Sequence, residues 1–139
     1  MKHTHHNVDI DRPGKDSFVH REAGAHEVLI TGAARWALLH ENRDDPEPTM
    51  DELLTRMSPV DLVIIEGFKT WRHDKLEVHR PEVGKPLLAA DDPTIVAVAS
   101  TAALDGAGRP VFDLDDIDAI ADFIIDHLDL IPASRHGAA

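Results

Sequence analysis

Six consecutive residues, Val60-Asp61-Leu62-Val63-Ile64-Ile65, are apolar at every position but one, and three of them are β-branched in the last three places. A strand with one wet face alternates between apolar and polar residues. This run does not, so it predicts a strand covered on both faces, as in a parallel sheet. It stops abruptly at Glu66-Gly67-Phe68-Lys69. Thr94-Ile95-Val96-Ala97-Val98-Ala99 has the same character and predicts a second buried strand. Two such strands commit the chain to an α/β architecture with crossover connections.

The remaining pattern fits that class. A polar stretch over residues 1–15 ends in Arg12-Pro13-Gly14-Lys15, which is loop chemistry. A short helix follows, with Asp16 or Ser17 as N-cap and Gly24 as its stop. Residues 26–31 and 35–40 predict two strands joined around Thr31-Gly32-Ala33-Ala34 in a hairpin. Asn42 to Pro48 reads as an exposed acidic loop. Thr49-Met50-Asp51-Glu52 is a capping box, and Met50, Leu53, Leu54 and Met57 then mark one helical face. Lys75 to Arg80 and Val111-Phe112 predict further strands. A last helix, capped by Asp113 or Asp115, shows Ile117, Ile120, Ala121, Ile124 and Leu128 on one side. The 139 residues suit a single domain.

Charge and composition remove several functions. The net charge of −12 argues against a general nucleic-acid binder or an anionic-membrane binder, since both need clustered Lys and Arg. There is no cysteine, so thiolate metal sites and disulfide scaffolds are excluded. No apolar run reaches membrane-spanning length and no secretory signal opens the chain, which makes the cytoplasm the expected location.

In open α/β sheets ligands bind beyond the carboxyl ends of the strands. Glu66 stands at such an end, where a carboxylate can hold Mg²⁺ and Gly67 lets a phosphate approach the backbone. A solvated loop is the plainer alternative, and Lys69 divides equally between phosphate contact and plain surface. The segment from Lys2 to Ser17 is the most unusual. Three His (His3, His5, His6) and three Asp (Asp9, Asp11, Asp16) suggest a metal module, a polar loop, or a phosphate-and-Mg²⁺ loop. Gly14-Lys15-Asp16-Ser17 imitates the end of a Walker A motif without being one. Asp follows the Lys, position 9 is not Gly, and no buried strand precedes it. No nucleophile elbow is present. Trp36 is expected in the core of its strand and Trp71 at an exposed surface; the other histidines read as surface or satisfied positions.

Taken in order, Lys2-His3-Thr4-His5-His6, Asp11-Arg12-Pro13-Gly14-Lys15-Asp16-Ser17, Arg21-Glu22-Ala23-Gly24-Ala25, Arg35-Trp36-Ala37-Leu38, Asp61 to Lys69 and Ile95 to Ser100 resemble the MobB family over nearly the whole chain. The resemblance implies a P-loop NTPase fold, a layered sheet with helices on both faces, binding GTP and Mg²⁺. It implies an adapter that helps a molybdenum cofactor guanylyltransferase attach GMP to molybdopterin, at most a weak GTPase, and a plausible homodimer. By the same carry-over Lys2, His3, Lys15, Gly67, Lys69 and Ser100 face the nucleotide, and Asp16 and Glu66 are the Mg²⁺ and phosphate carboxylates. The loop after Ser100 lies near the guanine, although family members often carry Asp where this chain has Thr101.

The departure is at the front. The family opens with a buried strand, a Walker A loop and a helix, whereas this chain begins at the end of the second strand. It is a fragment, a product of a late start codon, or a shortened protein. The P-loop supplies most of the phosphate grip, so tight GTP binding is not expected of these residues alone. A sheet lacking that strand exposes unpaired edges, and the chain is expected to be unstable or to pair with another copy. Two further readings stand beside the adapter: an interaction domain without nucleotide binding, and a His/Asp metal module over residues 3–16.

Overall fold

The computed structural model describes residues 1–4 and 10–130. His5, His6 and Asp9 lie outside the described residues. The chain divides into two compact units, Met1–Gly67 and Phe68–Ala139.

In the first unit the helix α1 spans Asp16–Glu22. Its N-cap is Lys15, with no side-chain cap, rather than the expected Asp16 or Ser17. Ser17 is otherwise engaged, its hydroxyl donating to Asp11 at 2.8 Å. Gly24, at φ +102°, ends the helix as predicted. The strands β1 (Glu27–Thr31) and β2 (Trp36–His40) form the expected antiparallel hairpin, pairing Leu29 with Leu38 and Thr31 with Trp36. The helix α2 spans Met50–Thr55 and carries the full capping box: Glu52 N–H donates to Thr49, and Thr49 N–H donates back to Glu52 at 2.7 Å. The Thr49 backbone and hydroxyl hold the Glu52 carboxyl below its usual range.

The 60–65 run departs from its sequence pattern. It is extended, but it is not a strand covered on both faces. Its ladder is a parallel bridge of Lys2 to Glu66, with Glu66 N–H donating to Met1 O at 2.9 Å and His3 N–H donating to Glu66 O at 2.7 Å. Ile64 is 73% exposed, and Val60 and Leu62 are also exposed. Among the described residues only Met1–His3 pair with it, too few to form a regular sheet. Trp36 is likewise no core residue, being 69% exposed on a two-stranded ribbon that has one face uncovered.

The second unit holds the parallel sheet that the pattern predicts. Its order is β3 (Lys75–His79), β4 (Ile95–Ser100), β5 (Val111–Asp113), with β4 in the middle. Five of the six β4 residues are buried, and Val98 has no exposed surface. Ala89, Ile95 and Val98 pack together with Leu87, Leu104 and Val111. Polar clamps fix the lower end of this sheet. Lys75 donates to Asp92 (3.0 Å) and Thr94 (2.7 Å), and Arg109 donates to the carbonyls of Ile95 and Asp92. Hydrogen bonds from Thr94, then from Lys75, lower the Asp92 carboxyl to about 2. The helix α3 spans Ile117–His127 and is capped by Asp116, not by Asp113 or Asp115. Asp113 instead accepts from the Asp115 N–H. Phe123 tilts against Phe112 at 5.2 Å, and His127 is satisfied by Asp74 at 2.7 Å.

These burial differences predict an asymmetry between two apolar runs that look alike in sequence. Val98→Ala should cost roughly 1–3 kcal/mol of unfolding free energy. Ile64→Ala should stay within about 0.5 kcal/mol of the parent. Urea denaturation of both variants checks this, and equal losses would contradict it.

Candidate functional site

The bridge between the chain start and Glu66 assembles four of the residues singled out by sequence. Lys2 Nζ donates to Glu66 Oε1 at 2.9 Å, and both side chains are about two-thirds exposed, at 67% and 70%. His3 lies against Gly67 and donates from Nε2 to Glu47 Oε1, or is bound by it as imidazolium, at 2.9 Å. The chain then leaves Glu66 through two left-handed residues, Gly67 (φ +94°) and Phe68 (φ +50°). A Cβ on Gly67 would stand 2.9 Å from His3 Cβ and 3.0 Å from its carbonyl oxygen. The glycine is therefore required by close approach of the protein's own backbone, in addition to its sign of φ.

Lys15 and Asp16 belong to the same unit, at the exposed start of α1. No hydrogen bond or ion pair is recorded between them and Glu66. Sequence reasoning missed what holds their loop. The Asp11 carboxylate, only 6% exposed, accepts from Arg12 N–H (3.0 Å) and Ser17 Oγ (2.8 Å) and faces Arg21 at 3.8 Å. Arg21 also pairs with Glu41 at 2.5 Å. Asp11 thus pins the loop through Oδ1, while its buried Oδ2 has no hydrogen bond among the described residues. Gly14, at φ +86°, makes the turn between Asp11 and Ser17.

Lys69 and Ser100 lie in the second unit. Lys69 is exposed. Ser100 ends β4 and is 2% exposed, its Oγ accepting from Ala102 N–H at 3.2 Å. The neighbouring Thr101 donates to Glu82 at 2.9 Å. Trp71 is half-buried rather than exposed, with its ring edge-on to Phe68 at 6.1 Å.

The oxygen donors of Glu66 and Asp16 suit a hard cation such as Mg²⁺, which takes one or two carboxylates and completes its shell with phosphate oxygens and water. Among the described residues no group of three or more His, Asp or Glu is arranged to hold an ion. The Glu66 carboxylate is already engaged by Lys2.

The three-stranded parallel sheet with its helices defines the class, an α/β protein, and the solved structure that it superposes on makes the fold P-loop NTPase-like. The family model for molybdopterin guanine dinucleotide synthesis protein B matches residues 1–101, and the chain belongs to that MobB family. It is 37% identical to the molybdopterin-guanine dinucleotide biosynthesis adapter protein of Escherichia coli over 129 residues, 91% of this chain and 73% of that protein. Its identity to the adapter protein of Haemophilus influenzae is 38% over 127 residues, 89% and 68% of the two chains. A crystal structure of molybdopterin-guanine biosynthesis protein B superposes with a TM-score of 0.61 at 27% identity, covering 82% of this chain and 74% of that one. No helix among the described residues is long and apolar enough to cross a membrane.

The corner predicts opposite outcomes for adjacent substitutions. Gly67→Ala should destabilise by roughly 1–3 kcal/mol, because positive φ and contact with His3 both oppose a Cβ. Glu66→Gln should change stability by under about 0.5 kcal/mol, because an exposed ion pair contributes little. Thermal melting of the two variants is the check, and a Glu66→Gln loss matching that of Gly67→Ala would show the pair to be structural.

Proposed function

We propose that this chain works as the nucleotide-dependent adapter of its pathway, binding GTP with Mg²⁺ and assisting a guanylyltransferase in attaching GMP to molybdopterin. The observation that carries the reading is the Lys2–His3–Glu66–Gly67 corner. It joins two family phrases 64 residues apart, with Lys2 held to Glu66 at 2.9 Å, although that ion pair is nearly worthless for stability. An exposed Lys–carboxylate pair that contributes little to stability at such a corner is what a ligand site would use. In this reading Lys2, His3 and Lys15 of the first unit meet phosphate oxygens. Gly67 lets His3 close against the corner, and Glu66 and Asp16 supply carboxylate oxygens to Mg²⁺. Bound Mg²⁺ neutralises phosphate charge. The protein's own part is to position Lys2 and Glu66 through the backbone bridge and to place an adapter surface beside the nucleotide.

Calorimetry with Mg²⁺-GTP, on this chain and on the same chain extended by its upstream coding sequence, tests the proposal. Binding in at least one form, weakened tenfold or more by Asp16→Asn or Glu66→Gln, is the expected result. Absence of binding in both forms would leave the interaction-domain reading in its place, for which complex formation with the guanylyltransferase without GTP is the mark.

A second copy of this chain is the partner that the hairpin supports. Leu29, Leu38 and Trp36 stand exposed on one face of β1 and β2, a contiguous apolar surface of the kind that marks association. Light scattering should give a concentration-dependent mass near that of two chains, reverting to one in Trp36→Asp. A monomer at every concentration would refute the pairing.

A further inference from the structure

We propose that Glu47 is a positioning residue for the Lys2–His3–Glu66 corner, fixing the orientation and the protonated nitrogen of the His3 ring. What the corner binds rests on the reading above; the role of Glu47 does not. The His3 side chain is only 16% exposed, so a ring N–H turned away from water needs an acceptor. Glu47 Oε1 lies 2.9 Å from Nε2. A carboxylate accepts and does not donate, so the ring carries its proton on Nε2 in either the neutral or the charged form.

Two further contacts fix the backbone and Cβ from which the ring projects. The His3 backbone N–H is bonded to Glu66 O at 2.7 Å, and the Cβ-free face of Gly67 lies against His3 Cβ. Glu47, its side chain 66% exposed, is placed by its position in the chain. It lies two residues before Thr49, the N-cap of α2, whose capping box fixes the loop end, and Met50 next to it is buried. Of the acidic side chains in the loop over residues 42–48, Glu47 is the one that reaches His3. Asp44 is exposed and Asp45 makes only a backbone turn to Asn42 at 2.8 Å. Ring orientation in a ligand-facing histidine is set by whatever binds its other polar atoms, and removing such a supporting group commonly costs ten- to a hundredfold in function.

The test is nitrogen-15 NMR of the histidine rings in the full 139-residue chain at one fixed pH, with His3 assigned by its disappearance in His3→Gln. The parent should show His3 protonated on Nε2. Glu47→Ala should lose that signature and give a mixture of tautomers, while Asp44→Ala, which removes the same charge from the same loop, should leave it intact. Unchanged His3 shifts in Glu47→Ala, or equal changes in Asp44→Ala, would overturn the proposal. Whichever form binds Mg²⁺-GTP then gives a second readout: Glu47→Ala and His3→Gln should each weaken binding about tenfold, and together no more than either alone. Additive losses would overturn the coupling. If no form binds nucleotide, the adapter reading falls and the ring signature alone decides the role of Glu47.

Discussion

Every ladder of the three-stranded parallel sheet passes through β4. Its backbone pairs with β3 on one side and β5 on the other, and its side chains Ala97, Val98 and Ala99 have essentially no contact with water. Burial of small and β-branched side chains on both faces is what makes a parallel strand stable, because neither face can fall back on solvent. The Lys75–Asp92–Thr94 and Arg109 clamps set where the strand begins, and the carboxyl end at Ser100 follows from that register.

The first unit is organised differently. It has little buried apolar surface, Met50 being its fully buried hydrophobic residue among those described. Local devices hold it instead: the capping box of α2, the Asp11 pin under the Pro13-Gly14 turn, the Arg21–Glu41 pair and the Glu27–His40 pair across the hairpin. The His40 hydrogen bond also holds the Glu27 carboxyl below its usual range. Such devices contribute about 1 kcal/mol or less apiece and specify shape more than they supply stability. The exposed Lys2–Glu66 pair belongs to this thin unit, and for that reason the pair is more informative about ligands than about folding.

Much was legible before any coordinate. The capping box, the hairpin, the strands at 75–79, 95–100 and 111–113 and the last helix all fall within a residue or two of their expected places, since each rests on short-range pattern; the strand expected at 60–65 does not form. The caps of α1 and α3 were misplaced because several adjacent Asp residues compete for the role, and only geometry shows Asp116 to be the one used. The family phrases named Lys2, His3, Glu66 and Gly67 separately, without saying that the first pair lies on the second. Glu47 gave no motif of its own, and the phrase that holds Asp11 did not tell its pairing with Arg21.

Sequence by itself determined the element types, the α/β class and the family, because periodicity, capping and motif order are written along the chain. Tertiary structure alone decided burial. Two apolar runs of equal hydrophobicity, 60–65 and 95–99, ended respectively exposed and sealed, because burial depends on how many neighbours a strand finds and not on its own composition. It also decided which acidic side chains are free. Asp11 is spent on Ser17 and Arg21 and Glu47 on His3, while Asp16 remains at the surface, and pairings across loops follow from where the chain returns rather than from spacing.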